Sequence, residues 1–163
     1  MFTPRTIRIL LLTTAFVAAL GSVGLIMYVV TALQSPQVAT AAIGGPFTLT
    51  DQNGRPISDT DLKGKPFLVF FGFTHCPDVC PTTLFEVSEV FGKLGPQADN
   101  VRALFVTVDP ERDTAAVMKD YLSSFDPRIV GVTGDPAAID KMLKAYRVYA
   151  RKVPQENGEY TMD

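Results

Sequence analysis

The two cysteines of this chain stand four residues apart, in Phe73-Thr74-His75-Cys76-Pro77-Asp78-Val79-Cys80-Pro81. Two thiols in one short loop suit two chemistries: they can hold a soft metal ion, or they can cycle between dithiol and disulfide. A plain structural disulfide would close only about five residues, so its loop-entropy contribution stays below about 3 kcal/mol. Redox motifs of the thioredoxin type usually place two residues between the cysteines, and this segment places three. The wider spacing permits redox work and leaves room for two thiolates to face one ion. Soft thiolates favour Cu(I), and Cu(II) becomes possible when an imidazole joins them. A structural zinc site needs four ligands, whereas the chain has a single histidine, His75.

These residues need a frame. Phe67 to Phe71 is a continuous apolar run, the pattern of a strand buried on both faces. The cysteine loop follows it directly. Pro81 then opens a helical pattern, with Leu84, Val87, Phe91 and Leu94 on one face and Gly95-Pro96 as its stop. Cys80 stands before Pro81 at the expected N-cap, where the helix dipole and free N–H groups stabilise a thiolate. Upstream, Phe47 to Thr50 and Ile57 flank an Asn-Gly turn and read as a hairpin. Downstream, strand patterns at Val101–Val108 and Ile129–Thr133 alternate with helical ones. Asp113 is the expected cap of a helix from Thr114 to about Ser123, and Asp135-Pro136 opens another. A strand begins near Tyr160 with no evident partner. This order predicts an α/β sheet with parallel strands, and ligand chemistry in such sheets belongs at the carboxyl ends of strands, where the cysteine loop lies.

The N-terminal part has a different character. Its first 50 residues carry only two charges, Arg5 and Arg8, and residues 9–30 carry none. Twenty-two such residues span roughly 33 Å as a helix, enough for a bilayer core. A cleaved signal peptide ending at Ala39-Thr40-Ala41 is the competing reading, but the apolar run is longer than a signal core and the site lies well past it. The expected organisation is a cytoplasmic N-terminus over 1–8, a transmembrane anchor over 9–33, a linker over 34–45 and a domain over 46–163. The two arginines orient the span with its N-terminus inside. A bacterial inner membrane with the domain in the periplasm fits this best. Beyond the two arginines, 13 basic residues stand against 17 acidic ones without any Lys/Arg cluster, which disfavours nucleic acid as a partner.

The segment Val69-Phe70-Phe71-Gly72-Phe73-Thr74-His75-Cys76-Pro77-Asp78-Val79-Cys80-Pro81 closely resembles the signature of the Sco/SenC family of membrane-anchored copper proteins. The similarity continues through Val108-Asp109-Pro110-Glu111-Arg112-Asp113-Thr114, Gly131-Val132-Thr133-Gly134 and Tyr146-Arg147-Val148-Tyr149, over roughly residues 44–163. The resemblance implies a thioredoxin-like fold and a copper ion, Cu(I) or Cu(II), held by Cys76 and Cys80. It implies delivery of that copper to the binuclear centre of cytochrome c oxidase subunit II, a metallochaperone role more than an enzymatic one. The alternative it leaves open is a thiol–disulfide oxidoreductase that reduces the cysteines of that centre. A periplasmic copper donor or thiol reductant is the further partner either role requires. The family's third ligand is a histidine expected just beyond Asp163, and the closing hairpin and helix of a thioredoxin-like sheet are expected there too. His75 matches a position that the family does not use as its principal ligand, so a structural or supporting role is expected for it. Asp78 reads as a turn former. Asp109 and Asp113 read first as loop and helix caps, with the resemblance placing them near the copper loop. Tyr146, Tyr149 and the phenylalanines read as core. A thiol peroxidase is a weaker third reading, with only the fold in its favour.

Overall fold

The structure, a computed structural model, describes residues 4–33, 43–156 and 158–163. The chain divides into two compact units, Met1–Ala41 and Ala42–Asp163. In the first, one helix, α1, runs Pro4–Leu33. Its described consecutive side chains, 13–29, are uncharged and exposed. Among the described residues, no helix is long and apolar enough to cross a membrane. The expected anchor extends past these side chains, and residues 34–42 of the expected linker lie outside the described residues.

The second unit is a mixed α/β sheet. Its elements are β1 (Thr48–Asp51), β2 (Pro56–Ser58), β3 (Phe67–Gly72), α2 (Val79–Leu94), β4 (Arg102–Thr107), α3 (Ala115–Leu122), β5 (Ile129–Thr133), α4 (Pro136–Tyr146), β6 (Lys152–Pro154) and β7 (Tyr160–Met162). The main sheet has the order β2-β1-β5-β4-β3. β3, β4 and β5 are parallel, while β1 runs antiparallel to both β5 and β2. The parallel core matches the sequence pattern, and the Asn-Gly turn closes the β1–β2 hairpin as expected.

β4 explains the layering. Alternate residues point to opposite faces of a strand. Ala103 and Phe105 join a buried cluster with Leu84 and Phe91 of α2 and Met118 and Leu122 of α3. Leu104 and Val106 join a second cluster with Ile139, Met142 and Leu143 of α4. Helices therefore cover both faces, and every residue of β4 from Ala103 to Thr107 is buried. Burial of one such Leu or Phe side chain contributes about 1.5–3 kcal/mol.

Three expectations need correction here. β3 is not buried on both faces but forms the edge of the sheet, with Phe67 37% and Leu68 50% exposed. It pairs with β4 on one side only, so its first residues lack a second neighbour. The strand near Tyr160 does have a partner, because β7 pairs antiparallel with β6 in a separate two-stranded sheet. Tyr149 is not core but 75% exposed, whereas Tyr146 packs against Phe71 with ring centroids 5.4 Å apart.

An uncharged apolar edge strand is a template for pairing with other chains. Leu68→Lys places a charge on that edge at a half-exposed position. We expect its stability to stay within about 0.5 kcal/mol of the parent. Its heat-induced β-rich aggregation, followed by thioflavin fluorescence, is expected to be slower. Equal aggregation of the two proteins would show that this edge is not the sticky segment.

Candidate metal centre

Gly72 ends β3, and the chain turns at once. The Cys76 N–H donates to Phe73 O at 3.2 Å, which folds Thr74 and His75 into a tight turn. α2 then starts at Val79, two residues earlier than Pro81 suggests, with Asp78 at its N-cap. The Thr82 N–H closes the first turn on Asp78 O at 3.2 Å. Cys80 is therefore inside the first helical turn and not at the cap.

This shift gives the two thiols different surroundings. Both cysteines are free; Cys76 is half-buried and Cys80 is buried. Cys76 Sγ sits outside the helix start and accepts the Cys80 N–H at 3.3 Å. Burial works against its thiolate, but donation from the Cys80 thiol and from the backbone amides of Cys80, Asp78 and Val79 outweighs that cost. Its pKa falls below the ordinary thiol value. Cys80 goes the other way. Burial, the hydrogen bond given to Cys76, and the nearby Cys76 and Asp113 charges push its pKa up to about 12. The expected stabilisation by the helix start thus reaches one sulfur, because only Cys76 faces the unpaired N–H groups.

Gly72 makes room for the buried sulfur. A β-carbon at this position would lie 2.8 Å from Cys80 Sγ and 2.7 Å from the Phe105 ring. This is a glycine in a strand where another group approaches closely.

The loop after β4 makes polar contacts with the entrance of the cysteine loop at Thr74. Asp113 is fully buried and does not cap α3; that role belongs to Thr114, whose hydroxyl accepts the Val117 N–H. The Asp113 carboxylate instead accepts from Thr74 N at 3.0 Å, Thr74 Oγ1 at 2.5 Å and Thr107 Oγ1 at 2.6 Å. Asp109, 1% exposed, pairs with Arg112 and accepts the Tyr160 hydroxyl at 3.0 Å. Arg112 also donates to Tyr160 O at 2.9 Å and lies over the Tyr160 ring at 3.9 Å. His75 is exposed, and its Nδ1 lies 3.2 Å from Thr74 Oγ1. Among the described residues, no group of three or more His, Cys, Asp or Glu side chains is gathered to hold a metal. The soft donors gathered among the described residues are the two thiols of Cys76 and Cys80. Thr74, Thr107 and Gly72 are the residues that sequence reasoning missed; the glycine inside an apolar strand was the one available signal.

Two outcomes follow from this geometry. Cys76 is below the ordinary thiol value, so its alkylation rate is expected to reach a plateau below that value as pH rises. Cys80 stays protonated and covered over the same range. Peptide mapping after brief iodoacetamide treatment is expected to find the label on Cys76; prior labelling of Cys80 would contradict the assigned asymmetry. Gly72→Ala opposes two effects. Reduced freedom of the unfolded chain stabilises by about 0.4–1 kcal/mol, but overpacking against Cys80 and Phe105 costs about 1–3 kcal/mol. A net loss in thermal unfolding is expected, and a net gain would mean that the sulfur has space to spare.

Comparison with known proteins identifies the frame. The sequence model of the SCO1/SenC family matches residues 35–163. The mitochondrial SCO1 homolog of Mus musculus is 44% identical over 124 residues, which cover 74% of this chain and 44% of the mouse protein. The chain spans less than half the length of curated relatives such as this one. The copper-bound structure of Bradyrhizobium japonicum ScoI superposes with a TM-score of 0.73 at 66% identity, covering 75% of this chain and 78% of that one. BsSco, described with a disulfide switch and as a member of the Sco family of cytochrome c oxidase assembly proteins, superposes with a TM-score of 0.57 at 28% identity, covering 72% and 70%. With its family signature matched over most of its length and its thioredoxin-like sheet shared with these structures, the chain belongs to the SCO1/SenC family.

Proposed function

We infer that this chain is a copper-carrying assembly factor. Cys76 and Cys80 take up one copper ion and pass it by ligand exchange to the binuclear centre of cytochrome c oxidase subunit II. The observation that carries this reading is the convergence of two free thiols within one turn of chain, the donor set of a soft ion. The copper held by the 66% identical Bradyrhizobium relative supports it. In this reading residues 9–33 anchor the chain in a bacterial inner membrane, and the domain of residues 46–163 works in the periplasm beside a copper donor.

The unequal thiols favour a second reading, a thiol–disulfide oxidoreductase for the cysteines of the same centre. The Cys76 thiolate attacks one sulfur of the partner's disulfide, forming a mixed disulfide and releasing the partner's other sulfur as a thiolate. Cys80 then gives up its proton and attacks Cys76 Sγ, releasing the first partner sulfur. The partner gains two electrons and leaves as dithiol, with one proton from Cys80 and one from solvent, and the chain is left with a Cys76–Cys80 disulfide. The disulfide switch described for BsSco is consistent with this use.

Anaerobic Cu(I) titration of the reduced chain, in competition with a chromophoric chelator, tests the first reading. One tightly held ion is expected, with binding lost in Cys76→Ser and in Cys80→Ser. Equal, weak binding by parent and variants would sink the carrier role. The pH dependence has a definite sign. The Cys80 pKa is raised, so its proton is present at neutral pH and leaves when copper arrives. Apparent affinity is therefore expected to rise by at least about tenfold per pH unit through the neutral range. A flat profile would mean that Cys80 is not a ligand.

A further inference from the structure

Asp113 is a buried carboxylate without a cation. None of the ion pairs among the described residues includes it. Its charge is met by neutral donors alone, an arrangement that costs desolvation energy and persists only where every donor is in place. Two of its three donors come from one residue, Thr74, two positions before Cys76. The third is Thr107, at the end of β4 and fully buried. The backbone of Asp113 is fixed as well. Its N–H donates to Asp109 O at 2.9 Å, and its carbonyl accepts the buried Thr133 hydroxyl of β5 at 2.7 Å. Asp113 is therefore held to two central strands and presents its carboxylate to the start of the cysteine loop.

We propose that the Thr74–Asp113 contact is the positioning device of the thiol site. It bolts the loop entrance to the sheet, so that Cys76 Sγ meets the α2 start and lies beside Cys80. Past Thr74 the loop is tied by the Phe73–Cys76 turn and by the amides that meet the Cys76 sulfur, while Pro77 and Asp78 are exposed. Outer contacts of this kind orient ligands and typically change metal affinity by about 10–100-fold when removed. Thr74 and Asp113 are positioning residues; neither touches the ion. The copper part of this inference rests on the carrier reading, while the thiol part does not.

The test uses Thr74→Val, which removes the hydroxyl donor at nearly constant size, and Thr74→Ser, which restores it, both in the full chain. Three readouts are taken: Cu(I) affinity by competition, the midpoint potential of the Cys76/Cys80 pair against a dithiothreitol buffer, and the alkylation rate of Cys76. The valine variant is expected to lose about tenfold or more in affinity and to shift both thiol readouts, while the serine variant stays within about threefold of the parent. A valine variant that matches the parent in all three readouts overturns the proposal. So does a serine variant that loses as much as valine, since the hydroxyl would then be irrelevant. If the parent binds no Cu(I), the carrier reading fails, and the potential and alkylation rate still decide the positioning role. Should the valine variant not fold, amide exchange in the parent decides. The Thr74 N–H is expected to exchange as slowly as amides of β4, and exchange at exposed-loop rates overturns the bolt.

Discussion

The carboxylate of Asp113 has no exposed surface and receives hydrogen bonds from Thr74 on the cysteine loop and Thr107 on β4. Hydrogen bonds to a buried charge are worth roughly twice neutral ones, and leaving such a charge unpaired is costly. The constraint runs both ways: the charge is tolerable only while Thr74 is docked, and Thr74 is held wherever the charge sits. The rest of the site hangs from this point. The turn from Phe73 to Cys76, the helix start at Val79 and the placement of both sulfurs follow in sequence from a fixed Thr74.

The loop after β4, which carries Asp113, grips a second segment. Asp109 and Arg112 hold Tyr160, and with it β7 of the small β6–β7 sheet, through hydroxyl, carbonyl and ring contacts. Arg151 and Asp163 exchange backbone hydrogen bonds at the open end of that sheet and pair through their side chains. The Asp109–Asp113 stretch thus contacts two arms: the cysteine loop through a carboxylate, and the hairpin through an arginine clamp. A carboxylate suits the first because its partners are N–H and O–H donors. A guanidinium suits the second because it can donate to a carbonyl while stacking on an aromatic face.

Unequal thiols are compatible with both uses of the site. A sulfur at a helix start is ready to lose its proton, and a covered sulfur is not. For metal capture this means one ligand is available early and the other on arrival of the cation. For thiol exchange it separates an attacking thiol from a resolving one. One structural fact, the entry of Cys80 into the first helical turn, underlies both.

Much of this was legible in the chain. The spacing of Cys76 and Cys80, the apolar run before them and the proline-led helix after them announced a thiol site at the end of a strand. Alternating strand and helix patterns announced a parallel α/β core, because burial on a sheet face imposes a period that survives in the residues themselves. Edges and long-range partners did not show in that way. β3 reads as an interior strand by composition, yet its neighbours decide that it lies at the edge. Asp113 precedes a helix and reads as a cap, yet the adjacent Thr114 takes that role and the carboxylate turns inward to a threonine 39 residues away. Local residue order determined which groups could do chemistry. Only the tertiary structure decided that α2 begins at Val79, so that Cys76 faces its start, and that Asp113, fixed between β4 and β5, meets Thr74, since those contacts join segments that the sequence keeps apart.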